Sequence, residues 1–211
     1  MAAPTLEPLD LAALLCSRVC HDLISPVGAV VNGLEVLEES KDEATKQFAL
    51  DLIKKSSRTA SAKLQFCRIA FGAAGSAGSQ IDTGDAETIS RGFLEDEKTK
   101  LAWNVPRTLV AKNRVKLLLN MLVIAGQAIP RGGNLAIEAV GSGENMGFKV
   151  TATGTNAKPP QHAAALIAGD TGGEDVNAHK IQPFYTGMLA AACGTSVSLT
   201  AQPDSVTLAT A

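Results

Sequence analysis

Across residues 9–37, apolar or small side chains recur at Leu9, Ala13, Cys16, Cys20, Leu23, Val27, Val30, Leu34 and Leu37. This alternating four-three spacing is held over four heptads and commits the segment to one long helix with a continuous apolar seam. Val19, Ile24 and Val31 flank the seam and widen it, which suits a helix in a bundle better than a two-stranded coil. His21 is off the seam. The same register places it on the opposite face with Arg18, Ser25, Gly28, Asn32 and Glu35, all polar or small. Ser25 follows it by one helical turn. Pro26 lies inside the helix, where it removes a backbone hydrogen bond and favours a kink. A merely solvated histidine would occupy the same face, but the costly proline beside it marks a shaped site. Gly28 adds a place where another protein's backbone can come close. A free imidazole, with a pKa of ~6.5, is largely neutral at pH 7 and keeps one ring nitrogen available as a nucleophile.

A charged turn over 38–42 leads into a second stripe at Ala49, Ile53, Ser56, Ala60, Leu64, Cys67 and Phe71. Two long helices joined this way form an antiparallel hairpin. Its broad apolar faces need a partner, and a twofold dimer giving a four-helix bundle supplies one. The small, uncharged run Gly72-Ala73-Ala74-Gly75-Ser76-Ala77-Gly78-Ser79-Gln80 then marks a boundary. It divides the chain into a helical hairpin over 1–73, a linker over 74–80 and a second domain over 81–211. In the second domain the patterning predicts helices over 85–97, 112–129, 161–167 and 185–193. Strands are predicted over 99–104, 134–140, 148–153, 195–201 and 205–209, so the domain is an α/β layer fold.

Aromatic residues make up only 4% of the chain, which also favours a bundle over a β-sandwich, and the formal charge of −2 leaves no electrostatic footprint for nucleic acid. No basic residue precedes Arg18 and no compact apolar run stands before it, so a signal peptide is not expected. The longest uncharged run, 181–203, is interrupted by prolines, glycines and hydroxyl side chains and does not read as a membrane span. A cytoplasmic protein, away from membranes, is the expectation, with Cys16, Cys20, Cys67 and Cys193 reduced. Cys16 and Cys20 share a face, but it is the apolar seam and no second pair matches them, so packing is expected and not metal binding. His162 and His179 read as solvated loop residues.

His21-Asp22-Leu23-Ile24-Ser25-Pro26-Val27 resembles the phosphoacceptor box of two-component histidine kinases. The longer run from Ser17 through Glu35 resembles more narrowly the ChpT-type histidine phosphotransferases of alphaproteobacteria, and the likeness covers nearly the whole chain. The resemblance implies a dimeric four-helix bundle followed by a degenerate histidine-kinase ATPase-like α/β sandwich. It further implies that His21 carries the phosphoryl group and that Asp22 orients or polarises the imidazole. The donor would be the receiver domain of a hybrid histidine kinase. The acceptors would be response regulators of a cell-cycle pathway, one of them DNA-binding. No cofactor or metal of its own is implied, the Mg2+ lying in the partner receiver's site. Arg18, Ser25 and Gly28 are assigned to receiver docking from their shared face with His21.

The nucleotide boxes of the kinase ATP-binding domain can be followed along the second half. Leu117-Leu118-Leu119-Asn120-Met121-Leu122 with Pro130-Arg131-Gly132-Gly133 resembles the N-box region, and the asparagine that would hold magnesium falls on Ile124. Magnesium wants hard oxygen ligands. Ala152-Thr153-Gly154-Thr155-Asn156 stands where an Asp-Xaa-Gly-Xaa-Gly run would hold adenine, with Ala152 in place of the aspartate. Gln182-Pro183-Phe184-Tyr185-Thr186 resembles the F-box, yet Gly187 follows at once and the glycine-rich lid is absent. Asp170-Thr171-Gly172-Gly173 is a rival adenine box, displaced to follow a helix and not a strand. Two other readings therefore stand beside phosphotransfer: an ATP-dependent kinase core with divergent boxes, and a non-catalytic scaffold that binds receivers.

Overall fold

A computed structural model describes residues 6–72, 79–173, 175–178 and 180–211. Helix α1 spans Pro8–Glu39 and α2 spans Glu43–Ala70. Pro8 opens α1 in the first turn, where its missing N–H has no helical acceptor to lose. Asp42 caps α2: its Oδ2 accepts from the Thr45 N–H at 2.8 Å and from the Thr45 hydroxyl at 2.6 Å. Pro26 bends no break into α1, which stays helical through it.

The apolar surface of α1 proves to be two faces. Pro26 and Gly33, one heptad apart, are its buried residues. At Gly33 the helices touch so closely that a Cβ would lie 2.7 Å from Ile53 Cγ1. Only one edge of the seam read from the spacing is covered: Leu23, Val30 and Leu37 are half-buried, while Leu9, Cys16, Cys20, Val27 and Leu34 remain exposed, as do Ile24 and Val31 beside them. Phe48 and Leu64 of α2 are exposed too. The expectation that Cys16 and Cys20 are buried by packing is therefore not met within one chain. A helix pair covers one stripe on each helix, and the close Gly33 contact draws α2 to the stripe beside the seam. By length and composition α1 is also apolar enough to cross a bilayer, which follows from its carrying two such faces.

The second half begins with β1 (Gln80–Asp82), so Gln80 is strand and not linker; residues 73–78 of the boundary lie outside the described residues. Next come α3 (Thr83–Leu94), β2 (Thr99–Asn104), β3 (Leu109–Ala111) and α4 (Lys112–Gln127). They are followed by β4 (Gly133–Val140), β5 (Gly147–Thr153), α5 (Ala163–Ile167), α6 (Ile181–Ala192), β6 (Val197–Gln202) and β7 (Ser205–Thr210). The main sheet runs β2-β4-β5-β7-β6, with β2 and β4 parallel and the other pairs antiparallel. β1 and β3 form a separate antiparallel pair. Alternation along the strands turns Leu101, Leu135, Ile137, Val150, Val206 and Leu208 to the helices, while Lys100, Asn134, Lys149 and Thr200 face solvent. Helix α4 fills the interior, buried without a break from Val115 to Ala125.

Several expected bounds move, two of them for a visible reason. Helix α3 starts at Thr83 because Asp82 caps it, its Oδ1 accepting from the Gly84 N–H at 2.7 Å. Helix α6 starts at Ile181, four residues before the expected 185, since Pro183 sits in its first turn, where proline is tolerated. The hairpin is also joined to the α/β core. Phe66 and Ala70 at the end of α2 are fully buried in it, and the rings of Phe66 and Phe93 stack with centroids 4.0 Å apart.

Candidate functional site

His21 projects from the middle of α1 with its side chain 76% exposed, while Asp22 beside it is 13% exposed. Residues adjacent in a helix point about 100° apart, so the imidazole meets solvent and the carboxylate turns toward α2. Arg18 lies one turn before Asp22 on that inner face, and its Nε donates to Asp22 Oδ2 at 3.2 Å. His21 Nδ1 is 3.8 Å from Asp22 Oδ1, too long for a hydrogen bond. From α2, Lys63 Nζ donates to the backbone carbonyl of Asp22 at 3.0 Å. Cys67, one turn further along α2, is buried on the same side. Burial, and after it the nearby Asp22 carboxylate, push its thiol up to about 11.

The structure divides the expected docking set. Ser25 is exposed on the His21 side, and a Cβ built at Gly28 would meet nothing within 4 Å, so that surface is open to a partner. Arg18 is not on it: its side chain is 15% exposed and engaged with Asp22. The expected spacing put Arg18 with His21 because the two differ by only 60° around the helix. The ion pair with Asp22 rotates it inward. Lys63 is the neighbour that periodicity did not single out, and the only trace of it in the sequence is Pro26, whose missing N–H leaves the Asp22 carbonyl in need of a donor.

At the positions where a nucleotide would be held, the second half shows packed core. Ile124 and Ala152 are fully buried apolar residues. Gln182 through Thr186 lie inside α6, all buried, and Gln182 Nε2 donates to Asn120 Oδ1 at 2.6 Å. Asn120 Nδ2 in turn donates to the Ala70 carbonyl at 3.1 Å, tying α4 and α6 to the end of α2. A Cβ at Gly187 would lie 2.1 Å from the Ile167 carbonyl oxygen, so α6 rests directly on the end of α5. The rival run at Asp170 is an exposed turn in which Asp170 Oδ1 accepts from the Gly172 N–H at 2.8 Å. His162 is exposed at φ 58°; His179 lies outside the described residues. Among the described residues no cluster of His, Cys, Asp and Glu is arranged to hold a metal.

Comparison with known proteins bears on the whole chain. Residues 83–205 match the family described as histidine phosphotransferase C-terminal domain. The chain is 50% identical over 202 residues to protein phosphotransferase ChpT of Brucella abortus (strain 2308), covering 96% of this chain and 95% of that one. A solved structure of a bacterial phosphotransferase, 46% identical, superposes with a TM-score of 0.89 over 100% of both chains.

Proposed function

This chain belongs to the ChpT-type histidine phosphotransferases, and from that premise we propose that His21 is the phosphoacceptor of a relay between receiver domains. The observation that carries the reading is an exposed imidazole in mid-helix, off the packed face, within the run His21-Asp22-Leu23-Ile24-Ser25-Pro26. Nδ1 faces Asp22, so Nε2 is the nitrogen presented outward. In the forward step the Nε2 lone pair attacks the phosphorus of a receiver's aspartyl phosphate in line. The N–P bond forms, and the bond from phosphorus to the aspartyl oxygen breaks with its electron pair left on the receiver's carboxylate. Transfer to a second receiver's aspartate is the same displacement reversed. Developing charge on the moving phosphoryl group is met by the receiver's own Mg2+, so this chain supplies nucleophile and docking surface. Asp22, held by Arg18, supplies a fixed negative charge beside the ring that becomes positive on phosphorylation.

The donor is the receiver of a hybrid histidine kinase, and the acceptors are cytoplasmic response regulators of a cell-cycle pathway, a DNA-binding one among them. They dock over Ser25 and Gly28. The exposed row Leu9, Ile24, Val27, Val31 and Leu34 on α1, with Phe48 and Leu64 on α2, is covered by a second copy of the chain. A four-helix bundle then carries two His21 side chains on its flanks. ATP is not used: Ile124 and Ala152, which stand at the positions of the magnesium and adenine ligands, are apolar residues buried in the core, and Gln182 to Thr186 continue directly along α6.

The test is single-turnover transfer from a purified receiver carrying labelled aspartyl phosphate. The wild-type chain is expected to take the label in an acid-labile, alkali-stable form, and His21→Ala to take none while still eluting as a dimer. Label on His21→Ala overturns the assignment. A wild-type chain that binds the receiver and never takes label supports the scaffold reading instead.

A further inference from the structure

Pro26 has no backbone N–H, and in an α-helix the N–H of residue 26 is the one that bonds the carbonyl of residue 22. The acceptor left without its helical donor is therefore the carbonyl of Asp22, the residue joined to His21. That oxygen is where Lys63 Nζ sits, at 3.0 Å, reaching across from α2 and 41 residues away in sequence. Pro26 itself is buried, so water is poorly placed to serve as the substitute donor. A charged donor on a carbonyl forms the stronger kind of hydrogen bond. The Asp22 carboxylate is meanwhile taken by Arg18, so the two sides of this residue are held from different directions, the side chain within α1 and the main chain from α2.

We propose that Lys63 is a positioning residue for phosphotransfer: it replaces the N–H that Pro26 lacks and thereby sets the turn carrying His21 against α2. A receiver that rests on both helices meets the imidazole at a distance fixed by this contact, and in-line transfer is sensitive to displacements of about 1 Å. The inference rests on His21 as the phosphoacceptor, and the proline and lysine form one device. The proline frees an acceptor in the middle of α1, and the lysine uses it to join the two helices beside the reactive side chain.

A cycle of variants tests it: wild type, Lys63→Met, Pro26→Ala and the double variant, with Lys63→Arg and His21→Ala alongside. Each is assayed for single-turnover transfer from a labelled receiver at saturating concentration and for receiver affinity. Lys63→Met is expected to slow transfer about tenfold with receiver affinity within twofold of wild type, and Lys63→Arg, which keeps a charged donor, to recover most of the rate. Pro26→Ala restores a helical N–H to Asp22, so in that background Lys63→Met is expected to change the rate by less than twofold. The proposal is overturned if Lys63→Met transfers at the wild-type rate, or slows the Pro26→Ala chain as much as it slows the wild type. Should Lys63→Met alone melt below the assay temperature, the double variant decides: transfer at the Pro26→Ala rate supports the device, and a further tenfold loss removes it. Label on His21→Ala would instead defeat the phosphoacceptor assignment, whatever the lysine does.

Discussion

Cys67 lies on the buried flank of the turn that carries His21, and its chemistry reports how dry that flank is. Burial, reinforced by the Asp22 carboxylate, raises its thiol from 9.0 to about 11. The thiolate is the reactive form, so at pH 8 only about one Cys67 in a thousand is available, and alkylation by iodoacetamide is expected to be at least tenfold slower than at an ordinary cysteine. The neutral thiol is the form the fold favours. Its contribution to stability is therefore complete below pH 9 and is lost as the pH rises through about 11. Mass spectrometry of peptides after timed alkylation checks this; Cys67 labelling at the rate found in guanidinium would mean that the α1–α2 flank is open. The same surroundings account for Asp22. Its carboxylate pairs with Arg18 and lies 3.8 Å from Nδ1 of His21, too far for a hydrogen bond.

The two faces of α1 predict opposite outcomes for substitutions of similar severity. Val27 is half exposed in the single chain and lies on the face assigned to the second copy. Val27→Asp is expected to give a monomer by sedimentation, with helical circular dichroism kept, because a carboxylate there is solvated in the monomer and unpaired in the dimer. Gly33 is on the other face, where even a Cβ would press on Ile53 and the Ala49 carbonyl. Gly33→Leu is expected to cost ~1–3 kcal/mol through overpacking and to lower the melting temperature by several degrees. If Val27→Asp stays dimeric, or Gly33→Leu melts as wild type does, the assignment of the faces is wrong. Truncating Leu34, about half exposed in one chain, is then a probe of association more than of folding.

At the scale of the molecule, the end of α2 belongs to the second core. Phe66 and Ala70 pack there and Asn120 bonds the Ala70 carbonyl, so the hairpin and the α/β layer form a connected body through these residues. Two of the positions that the kinase resemblance gives to nucleotide ligands lie inside that body. An ATP site would need a hard oxygen ligand at Ile124 and a carboxylate at Ala152, and both positions are filled by core side chains. Losing two such contacts, at ~1.5–3 kcal/mol each, weakens binding by about two to four decades. Calorimetry with millimolar ATP and Mg2+ is expected to show no saturable heat, and the chain no label from ATP on His21. A micromolar isotherm abolished by Asp170→Ala would restore the kinase reading.

Local periodicity by itself determined the helical hairpin, the place of His21 off the apolar seam and most strands of the second half, because spacing along a chain dictates which side chains share a face. The resemblance to the kinase boxes, and not periodicity, placed Ile124 and Ala152 at the ligand positions, where residue type alone makes them apolar. Periodicity did not show β1 or β3, three residues each and too short to carry a period, nor the early start of α6 behind Pro183. Only the tertiary structure decided which apolar face of α1 meets α2, and with it that Arg18 and Asp22 turn inward while Cys16 and Cys20 stay outside. The physical reason is that a helix's pattern defines its faces, while its rotation about its own axis is set by a neighbour distant in sequence. Here the close approach at Gly33 and the reach of Lys63 to the carbonyl freed by Pro26 set that rotation.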